Sequence, residues 1–265
     1  MTKVVKDRVM VVGIILIVLL NMIIPLSVNA KETSVNSGEE LLDIIKNVDD
    51  EKEKKYIFEH ASAKAQLEAN NIIQDEINDL LSSKEFYLES DETYKTASFQ
   101  TESGIEVKIT LSDEKEDGKG NIVPSTKAFT GYKEYGDRRY TIDSYAQHPK
   151  GRMSLKVINR YTISDKGLVV RKPPHKYPTY METSNTYYIK PKKTSLTYPI
   201  TKASSVNKYI QINGSVYYRT TTDVGIESKK LWGLHAQTKI KLLALDKKNK
   251  RAKVDERSFI GRSEQ

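Results

Sequence analysis

The sequence predicts an α+β protein in which a signal peptide and an acidic helical arm precede a mainly antiparallel β-sandwich or barrel-like domain. Three observations support this order. The first 30 residues are largely apolar and end in a small-residue motif, apolar residues then recur at helical spacing as far as residue 82, and from about Tyr94 apolar and polar residues alternate. The predicted segments are a signal peptide (1–30), an acidic helical arm (31–92) and a basic, tyrosine-rich all-β domain (93–265).

The opening segment has the three parts of a secretory signal peptide. Basic residues precede an apolar run of 16 residues from Val9 to Ile24, Pro25 ends the run, and small residues lead to Ala30. An uncleaved membrane anchor is the alternative, because the run approaches the ~17–25 residues that span a bilayer. The helix-breaking Pro25 favours cleavage after Ala30. We therefore expect a secreted, extracellular protein that can also associate with the cell surface.

Composition excludes several function classes. The chain of 265 residues has no cysteine, which excludes thiol catalysis, disulfides and cysteine-ligated metals. A cysteine-free exported chain of this length can still bury a hydrophobic core. Its abundant lysine, asparagine and isoleucine fit a bacterial origin.

Charge is distributed unevenly along the expected mature chain. The arm holds seven lysines and 17 acidic residues, for a net charge of −10, whereas the β domain holds 33 basic and 17 acidic residues, for a net charge of +16. Asymmetry of this kind indicates two modules, or one module in which an acidic arm lies against a basic body.

Two helices are predicted in the acidic arm. A capping box at Ser37–Glu40 begins a short helix, and a longer helix runs from Glu51 to Ser82. Since an isolated amphipathic helix is only marginally stable, we expect the longer helix to dock on the β domain and to mask part of its basic surface. The side chains expected to be buried by docking are Phe58, Ile73, Ile77 and Leu80.

Long alternating strands joined by short turns predict the antiparallel sheets. The alternation is clearest in residues 105–111, 153–163 and 232–244. The predicted turns are Ser164–Gly167, Asn213-Gly214 and Asp246–Asn249. Residues 171–199, with five prolines and five tyrosines, are expected to form a long surface loop.

No catalytic or metal-binding motif is found in the sequence. The histidines His60, His148, His175 and His235 are far apart, and none has metal-ligand spacing. Nucleophile elbows, phosphate-binding loops and dinucleotide fingerprints are missing as well. We therefore predict a protein that is not an enzyme and that uses no cofactor or metal.

Acidic residues of the β domain are expected at turns. Residues 113–121 share three positions with a calcium-binding EF-hand loop, but Lys115 and Pro124 occupy ligand positions, so a charged hairpin tip is predicted instead. The acidic residues in or beside predicted turns are Asp113, Glu114, Glu116, Asp117, Asp137, Asp165 and Asp246. These residues look like turn formers rather than an acid–base pair. Loops could still supply the carboxylate pair that a glycosidase needs without any recognisable sequence motif, so a secreted glycan-active enzyme is the second alternative function.

Basic residues of the β domain occur in clusters, and tyrosines accompany them. The clusters could simply keep edges and hairpin tips soluble, but together they create a positive field that attracts anionic partners. The leading hypothesis is a secreted protein that binds an anionic envelope polymer or lipid surface. The candidate surface-binding residues are Arg138, Arg139, Arg171, Lys172, Lys190, Lys192, Lys193, Lys229, Lys230, Lys247, Lys248, Tyr177, Tyr180 and Tyr187.

The layout of signal peptide, acidic helices and basic β domain resembles that of some large bacteriocin-like toxins. This resemblance covers the layout alone and implies the first alternative function, a secreted membrane-active toxin. Amphipathic strands with polar faces, such as residues 216–222, suit insertion into a membrane. Specific nucleic-acid binding is not predicted, because no fold signature accompanies the positive charge.

Overall fold

The computed structural model describes residues 35–82, 85–88, 92–124, 131–229 and 231–261. The predicted signal peptide, its cleavage site and the candidate residue Lys230 lie outside the described residues. Within the part that is described, no helix is both long enough and apolar enough to cross a membrane. All of the described residues belong to one compact unit, Val35–Gln265.

Three helices come first in the described part of the chain. They are α1 (Gly38–Lys46), α2 (Glu51–His60) and α3 (Ala63–Leu81). The side chains of Ser37, Asp50 and Ser62 cap them by accepting hydrogen bonds from backbone N–H groups two or three residues further on. The prediction of a single helix from Glu51 to Ser82 is wrong, because Ala61 is extended and Ser62 begins a new helix.

Antiparallel strands follow the helices and form two sheets. The strands of the described residues are β1 (Glu85–Leu88), β2 (Tyr94–Gln100), β3 (Glu106–Glu116), β4 (Ile122–Val123), β5 (Tyr132–Glu134), β6 (Gly136–His148), β7 (Gly151–Ser164), β8 (Gly167–Val170), β9 (Tyr180–Thr183), β10 (Ile189–Ile200), β11 (Lys202–Ala203), β12 (Tyr209–Thr220), β13 (Trp232–Asp246) and β14 (Arg251–Gly261). Sheet I has the order β1-β14-β13-β12-β10, with β5 also paired to β14. Sheet II has the order β11-β8-β7-β6-β3-β2, with β4 paired to β3 and β9 to β7. Two mainly antiparallel sheets with few helices are consistent with the predicted β-sandwich.

Two of the three predicted turns are confirmed. Turn residues lie at 165–166, between β7 and β8, and at 247–250, between β13 and β14. Asn213-Gly214 lies instead in the middle of β12, so that turn prediction is wrong. A Cβ atom at Gly214 would lie 2.6 Å from Cγ2 of Val157. The missing side chain therefore lets the two sheets approach each other.

Strands also occur where none were expected. β1 lies in the segment predicted to be helical, and it pairs with β14. Residues 171–199, predicted to be a surface loop, contain β9 and most of β10. Pro191 and Pro199 are tolerated in β10 because it is an edge strand of sheet I.

The hydrophobic core lies between the sheets and extends under the helices. The helices cover one end of the sandwich. Gln74 of α3 donates to the carbonyl of Leu231, just before β13 (2.9 Å), and Glu76 accepts from the backbone of Ser103 in the β2–β3 turn (3.1 Å). Phe58, Ile73 and Ile77 are buried, and Leu80 is partly buried.

Candidate functional site

The outer face of sheet I carries basic, aromatic and amide side chains. Burial alternates along β12 and β13, so their odd-numbered residues point outward as far as Lys241. The strand register then sets side chains beside one another, and Lys239 lies between Gln211 of β12 and Arg257 of β14. Neighbouring outward residues on adjacent strands can therefore contact one ligand together.

We call this surface the lysine–aromatic face, and its defining residues are Lys193, Lys239, Lys241, Lys253, Tyr209 and Phe259. The Lys239 ammonium lies 5.8 Å from the ring centroid of Tyr209 and 5.5 Å from that of Phe259. Lys193 lies 5.8 Å from the ring centroid of Tyr217. Within the described residues, none of these four lysines is ion-paired with an acidic side chain, unlike the nearby Arg251 and Arg257. Asp255, the cross-strand neighbour of Lys241, pairs with Arg257 (2.9 Å), so the four ammonium groups can still contact an external anion.

Amide and imidazole groups lie in the same rows as the lysines. Asn213 is paired in register with Gln237, and the Gln211 amide donates to Oδ1 of Asn213 (3.1 Å). Ser215 is paired with His235. Burial lowers the pKa of His235, so its imidazole is neutral at neutral pH and serves as a hydrogen-bonding group. The face thus combines positive charge with groups that can donate and accept hydrogen bonds.

The outer face of sheet II, by contrast, neutralises its own charges. Arg160 Nε lies 2.8 Å from Glu116 Oε1, and Arg171 Nη1 lies 2.9 Å from Glu116 Oε2. The other ion pairs of this face are Arg171–Asp137, Arg139–Glu114, Arg152–Asp143 and Lys156–Glu182. Each of these arginines thus has an acidic neighbour, whereas Lys108, in register with Tyr145, makes no ion pair among the described residues.

Two of the predicted surface-binding residues are buried. Arg138 is 4% exposed, and its guanidinium donates to the carboxylate of Asp113 (Nε to Oδ1, 3.2 Å). Arg171 is 3% exposed and lies against Glu116 and Asp137. The prediction that these two arginines line an exposed surface is wrong, because each of them neutralises carboxylates within the fold.

The remaining predicted residues are spread over separate parts of the molecule. Four of them lie at or just before the start of β10: Tyr187, Lys190, Lys192 and Lys193. Lys229 precedes β13, and Lys247 and Lys248 lie in the β13–β14 turn. Those on or beside sheet II are Arg139, Lys172, Tyr177 and Tyr180, and the Arg160 guanidinium lies 5.3 Å from the Tyr180 ring centroid. Of the predicted set, Lys193 belongs to the lysine–aromatic face.

The sequence-based prediction missed three lysines of this face. Lys239 and Lys241 alternate with Ile240 in the longest strand, and Lys253 lies across the hairpin in β14. The signal was present in the sequence, because residues 232–244 were already predicted to alternate, which places both β13 lysines on the polar side. Counting adjacent basic residues does not detect lysines that are spaced by two.

Inside the sandwich, charged side chains join the two sheets. Lys133 of β5 contacts Asp113 of β3 (Nζ to Oδ2, 2.6 Å) and Glu256 of β14. The Tyr161 hydroxyl donates to Glu256 (2.6 Å). Asp113 was predicted at a hairpin tip and is buried in β3 instead, and so is Glu116. That prediction is wrong because β3 continues to Glu116, and the hairpin turn follows at residues 117–121.

The carboxyl groups of this buried network have opposite pKa changes. Although burial acts to raise it, the pKa of Asp113 is held below its ordinary value by the charges of Lys133 and Arg138. Burial, helped by the Asp113 carboxylate, raises the pKa of Glu256. Because these charges balance one another inside the fold, we interpret the network as structural.

A second polar cluster lies where the helices meet the sandwich. The Lys150 backbone N–H donates to Nδ1 of His148 (3.0 Å), so Nε2 carries the proton and donates to Oδ1 of Asn70 (2.7 Å). Burial and the charge of Lys150 lower the pKa of His148 to about 3. Both ring nitrogens are therefore occupied by internal hydrogen bonds at neutral pH.

A groove of about 720 Å³ lies between the α1–α2 turn and the edge strand β2. Its charged lining is mixed, with Lys46 and Lys54 beside Asp49, Glu51 and Glu106. In the part of the chain that is described, no group of three or more histidine, aspartate or glutamate side chains is placed to hold a metal ion. The lysine–aromatic face is therefore the stronger candidate site.

Three acidic side chains of the helices pair with lysines of the same helices. The ion pairs of this kind are Glu51–Lys54, Glu59–Lys55 and Glu68–Lys64. The helices contact one end of the sandwich, at the β2–β3 turn and near the start of β13. Masking of a binding surface by the acidic arm stays a prediction.

Comparison with known proteins found no family model, no curated protein and no solved structure that matches this chain. A functional assignment therefore depends on the chemistry of the lysine–aromatic face and of the surfaces around it.

Proposed function

We propose that the protein is a secreted, non-enzymatic binding module whose lysine–aromatic face binds an anionic polymer of the bacterial cell envelope, such as a phosphate-bearing glycopolymer. The observation that carries this proposal is a set of lysines on one broad sheet surface that make no ion pair among the described residues and lie next to aromatic rings and amides. Secretion is supported by the signal-peptide pattern of residues 1–30.

The spacing of the lysines suits a chain of negative charges. Lys239 and Lys241 are two residues apart on one strand, which corresponds to about 6.8 Å. Lys253 lies on the adjacent strand in register with Ala244, so it is displaced along the sheet from Asp255, the cross-strand neighbour of Lys241. A polyanion lying across β13 and β14 can thus approach several ammonium groups together. Multiple charge contacts of this kind give an affinity that falls steeply with salt.

The aromatic and amide groups favour a polymer that also contains sugar or polyol units. Phe259 is 38% exposed, so its ring is accessible from solvent. Aromatic rings offer apolar faces to C–H groups, and Asn213 and Gln237 can hydrogen-bond to hydroxyls. Binding through charge alone would need only the lysines, so the aromatic and amide groups favour a ligand that also has C–H and hydroxyl groups.

The test is a binding measurement with residues 31–265, the expected secreted form. Purified anionic wall polymer and the same polymer after removal of its phosphate groups serve as ligands. We expect the triple variant Lys239→Gln, Lys241→Gln, Lys253→Gln to bind the anionic polymer at least ~10-fold more weakly. The slope of log K against log salt should fall by about two to three, because roughly one counterion per lost contact is no longer released.

The matched control removes the same charge elsewhere. Lys108→Gln, Lys166→Gln and Lys172→Gln change side chains on or beside sheet II. This variant should bind within twofold of the parent. Equal weakening by both variants would mean that net charge, and not the lysine–aromatic face, determines binding, and it would refute the proposal.

A further inference from the structure

The connection between β12 and β13 presents two aliphatic side chains to solvent. Val224 is 73% exposed and Ile226 is 47% exposed. The segment is held by hydrogen bonds from Thr222 N to the Ile226 carbonyl (2.9 Å), from Gly225 N to the Thr222 carbonyl (3.0 Å) and from Ile226 N to Oγ1 of Thr222 (3.0 Å). Gly225 takes a φ of +81°, which glycine adopts without strain. The aliphatic side chains are thus exposed on a turn that is closed by three hydrogen bonds.

This turn is anchored from below by a buried charge pair. Lys150 has a side chain only 1% exposed, and its ammonium lies 2.7 Å from Oδ1 of Asp223. It also lies 4.0 Å from the ring centroid of Tyr188. Because Asp223 directly precedes Val224, the anchor fixes the position of the apex relative to the sandwich.

Aromatic and basic side chains surround the apex. Thr221 N donates to the carbonyl of Tyr188 (2.8 Å), which brings the 62% exposed Tyr187 beside the turn. Glu227 holds Lys192 and Arg219, each at 3.0 Å. We call this surface the Val224 tip, and its residues are Tyr187, Lys190, Lys192, Arg219, Val224, Ile226 and Lys229.

We propose that the Val224 tip is a second interaction surface, separate from the lysine–aromatic face, and that it docks on an anionic lipid bilayer. Val224 and Ile226 would enter the interface below the headgroups. Tyr187 would lie at headgroup level, and Lys190 and Lys229 would face lipid phosphates, because Lys192 and Arg219 are paired with Glu227. This is the order of side chains that a membrane interface favours.

A bilayer fits this tip better than a protein partner does. The two aliphatic side chains stand on a narrow turn, and their area is far below the ~800 Å² per partner that a stable protein interface buries. A lipid surface accepts a small apolar protrusion, and its negative charge complements Lys190 and Lys229 near the apex. Binding should therefore be weak, reversible and dependent on anionic lipid.

The first measurement is sedimentation of residues 31–265 with lipid vesicles, a form that contains the whole compact unit Val35–Gln265. Vesicles of phosphatidylglycerol and phosphatidylcholine are compared with vesicles of phosphatidylcholine alone. The variant Val224→Ser, Ile226→Ser should bind the anionic vesicles about 10-fold more weakly than the parent. The control Val206→Ser changes a 45% exposed valine in the β11–β12 connection and should leave binding unchanged.

The second measurement does not depend on the double variant keeping its fold. Because the chain has no cysteine, Val224→Cys and Val206→Cys can each be labelled with a polarity-sensitive fluorophore. Anionic vesicles should shift the emission to the blue at position 224 and leave it unchanged at position 206. No shift, or an equal shift at both positions, would overturn the proposal.

Binding to soluble wall polymer separates this proposal from the function of the lysine–aromatic face. The Val224→Ser, Ile226→Ser variant should bind that polymer as the parent does. Loss of polymer binding in this variant would assign the tip to the polymer and refute the membrane role. Loss of vesicle binding in the Lys239→Gln, Lys241→Gln, Lys253→Gln variant, with full binding by the tip variant, would also refute it.

Discussion

The two outer faces of the sandwich are built from similar residues and differ in how their charges are paired. On sheet II, Arg160 and Arg171 share the carboxylate of Glu116, and Arg139 lies against Glu114. On sheet I, Lys239 lies beside two aromatic rings, Gln211 and Arg257. Lys241 lies between Tyr209 and Asp255, but the Asp255 carboxylate pairs with Arg257, and neither lysine makes an ion pair among the described residues. A count of basic residues cannot separate these two situations.

The net charge of the β domain therefore does not show how much positive charge each face offers to a ligand. It overstates the charge available on sheet II, where the arginines are paired, and understates the charge available on sheet I. The charges of sheet II are internal contacts of the fold, and removing one leaves an unpaired partner behind. Those of sheet I are in contact with solvent and rings, so their removal costs little stability. Stability and polyanion binding should therefore respond to different sets of substitutions.

Substitution of Arg171 should have the largest effect on stability. Arg171→Met removes a buried guanidinium that contacts Glu116 and Asp137 and leaves Glu116 with Arg160 as its remaining ion-pair partner. We expect the free energy of unfolding to fall by about 3 kcal/mol, since breaking a buried ion pair typically costs 3–5 kcal/mol. Urea denaturation followed by circular dichroism measures this change.

A second substitution tests whether the unpaired carboxylate is the cause. Adding Asp137→Asn to Arg171→Met should restore part of the lost stability, because Asp137 loses its ion pair with Arg171 whereas Glu116 keeps its ion pair with Arg160. Lys241→Met is the control on sheet I and should change the unfolding free energy by less than about 0.5 kcal/mol. If Arg171→Met unfolds at the same urea concentration as the parent, the two faces do not differ in the way proposed.

Lowering the pH should reduce the stability of the fold through protonation of His148 without a matching change in polymer binding. The pKa of His148 is about 3 in the folded protein, because the ring is buried and lies near the Lys150 ammonium, against about 6.5 in an unfolded chain. The unfolded state therefore binds the proton first. The stability contributed by the neutral ring is complete above about pH 6.5 and is lost as the pH falls towards 3, at up to about 1.4 kcal/mol per pH unit.

The variant His148→Gln isolates this effect from other titrating groups. Asn70, Lys150 and the rings of Phe58 and Trp232 face His148, and glutamine has no proton to gain there. Between pH 6.5 and pH 5 the parent should lose about 2 kcal/mol more than the variant. Polymer binding by the folded protein should change little over this range, because lysine remains charged and burial lowers the pKa of His235 on the same face. Parallel stability curves for parent and variant would contradict the assignment of a neutral, buried ring.

The general architecture was predictable because it depends on local patterns. Alternation in residues 105–111, 153–163 and 232–244 predicted strands with one buried face, and all three segments lie within or largely within strands. The turns at 165–166 and 247–250 lie in short polar segments, the first of which is followed by a glycine. Asn213-Gly214 has the same local signal, but Gly214 is required by Val157, which lies on the other sheet and is invisible in the local sequence.

The candidate site was only partly predictable, for two different reasons. Arg138 and Arg139 are adjacent in a strand, so their side chains must point to opposite faces, and alternation alone indicates that one of them is inward. The burial of Arg171 depends on Glu116, which is 55 residues away in sequence. The neighbours of Lys239 across β12 and β14 follow only from the register of two hairpin partners.

The smallest expected effect is the change in stability caused by removing the lysines of sheet I. The variant Lys239→Gln, Lys241→Gln, Lys253→Gln keeps most of the side-chain length and removes three charges that make no ion pair among the described residues. We expect an unfolding free energy within about 0.5 kcal/mol of the parent, because exposed charges contribute little to folding.

Loss of the two contacts between Lys239 and the rings of Tyr209 and Phe259 sets the upper limit, since exposed cation–π pairs are worth about 0.5–1 kcal/mol. Relief of repulsion between neighbouring basic groups acts in the opposite direction and grows at low salt. Thermal unfolding at two salt concentrations measures both contributions. A loss of several kcal/mol would show that these lysines hold the sheet together, and the contrast with the sheet II ion pairs would then disappear.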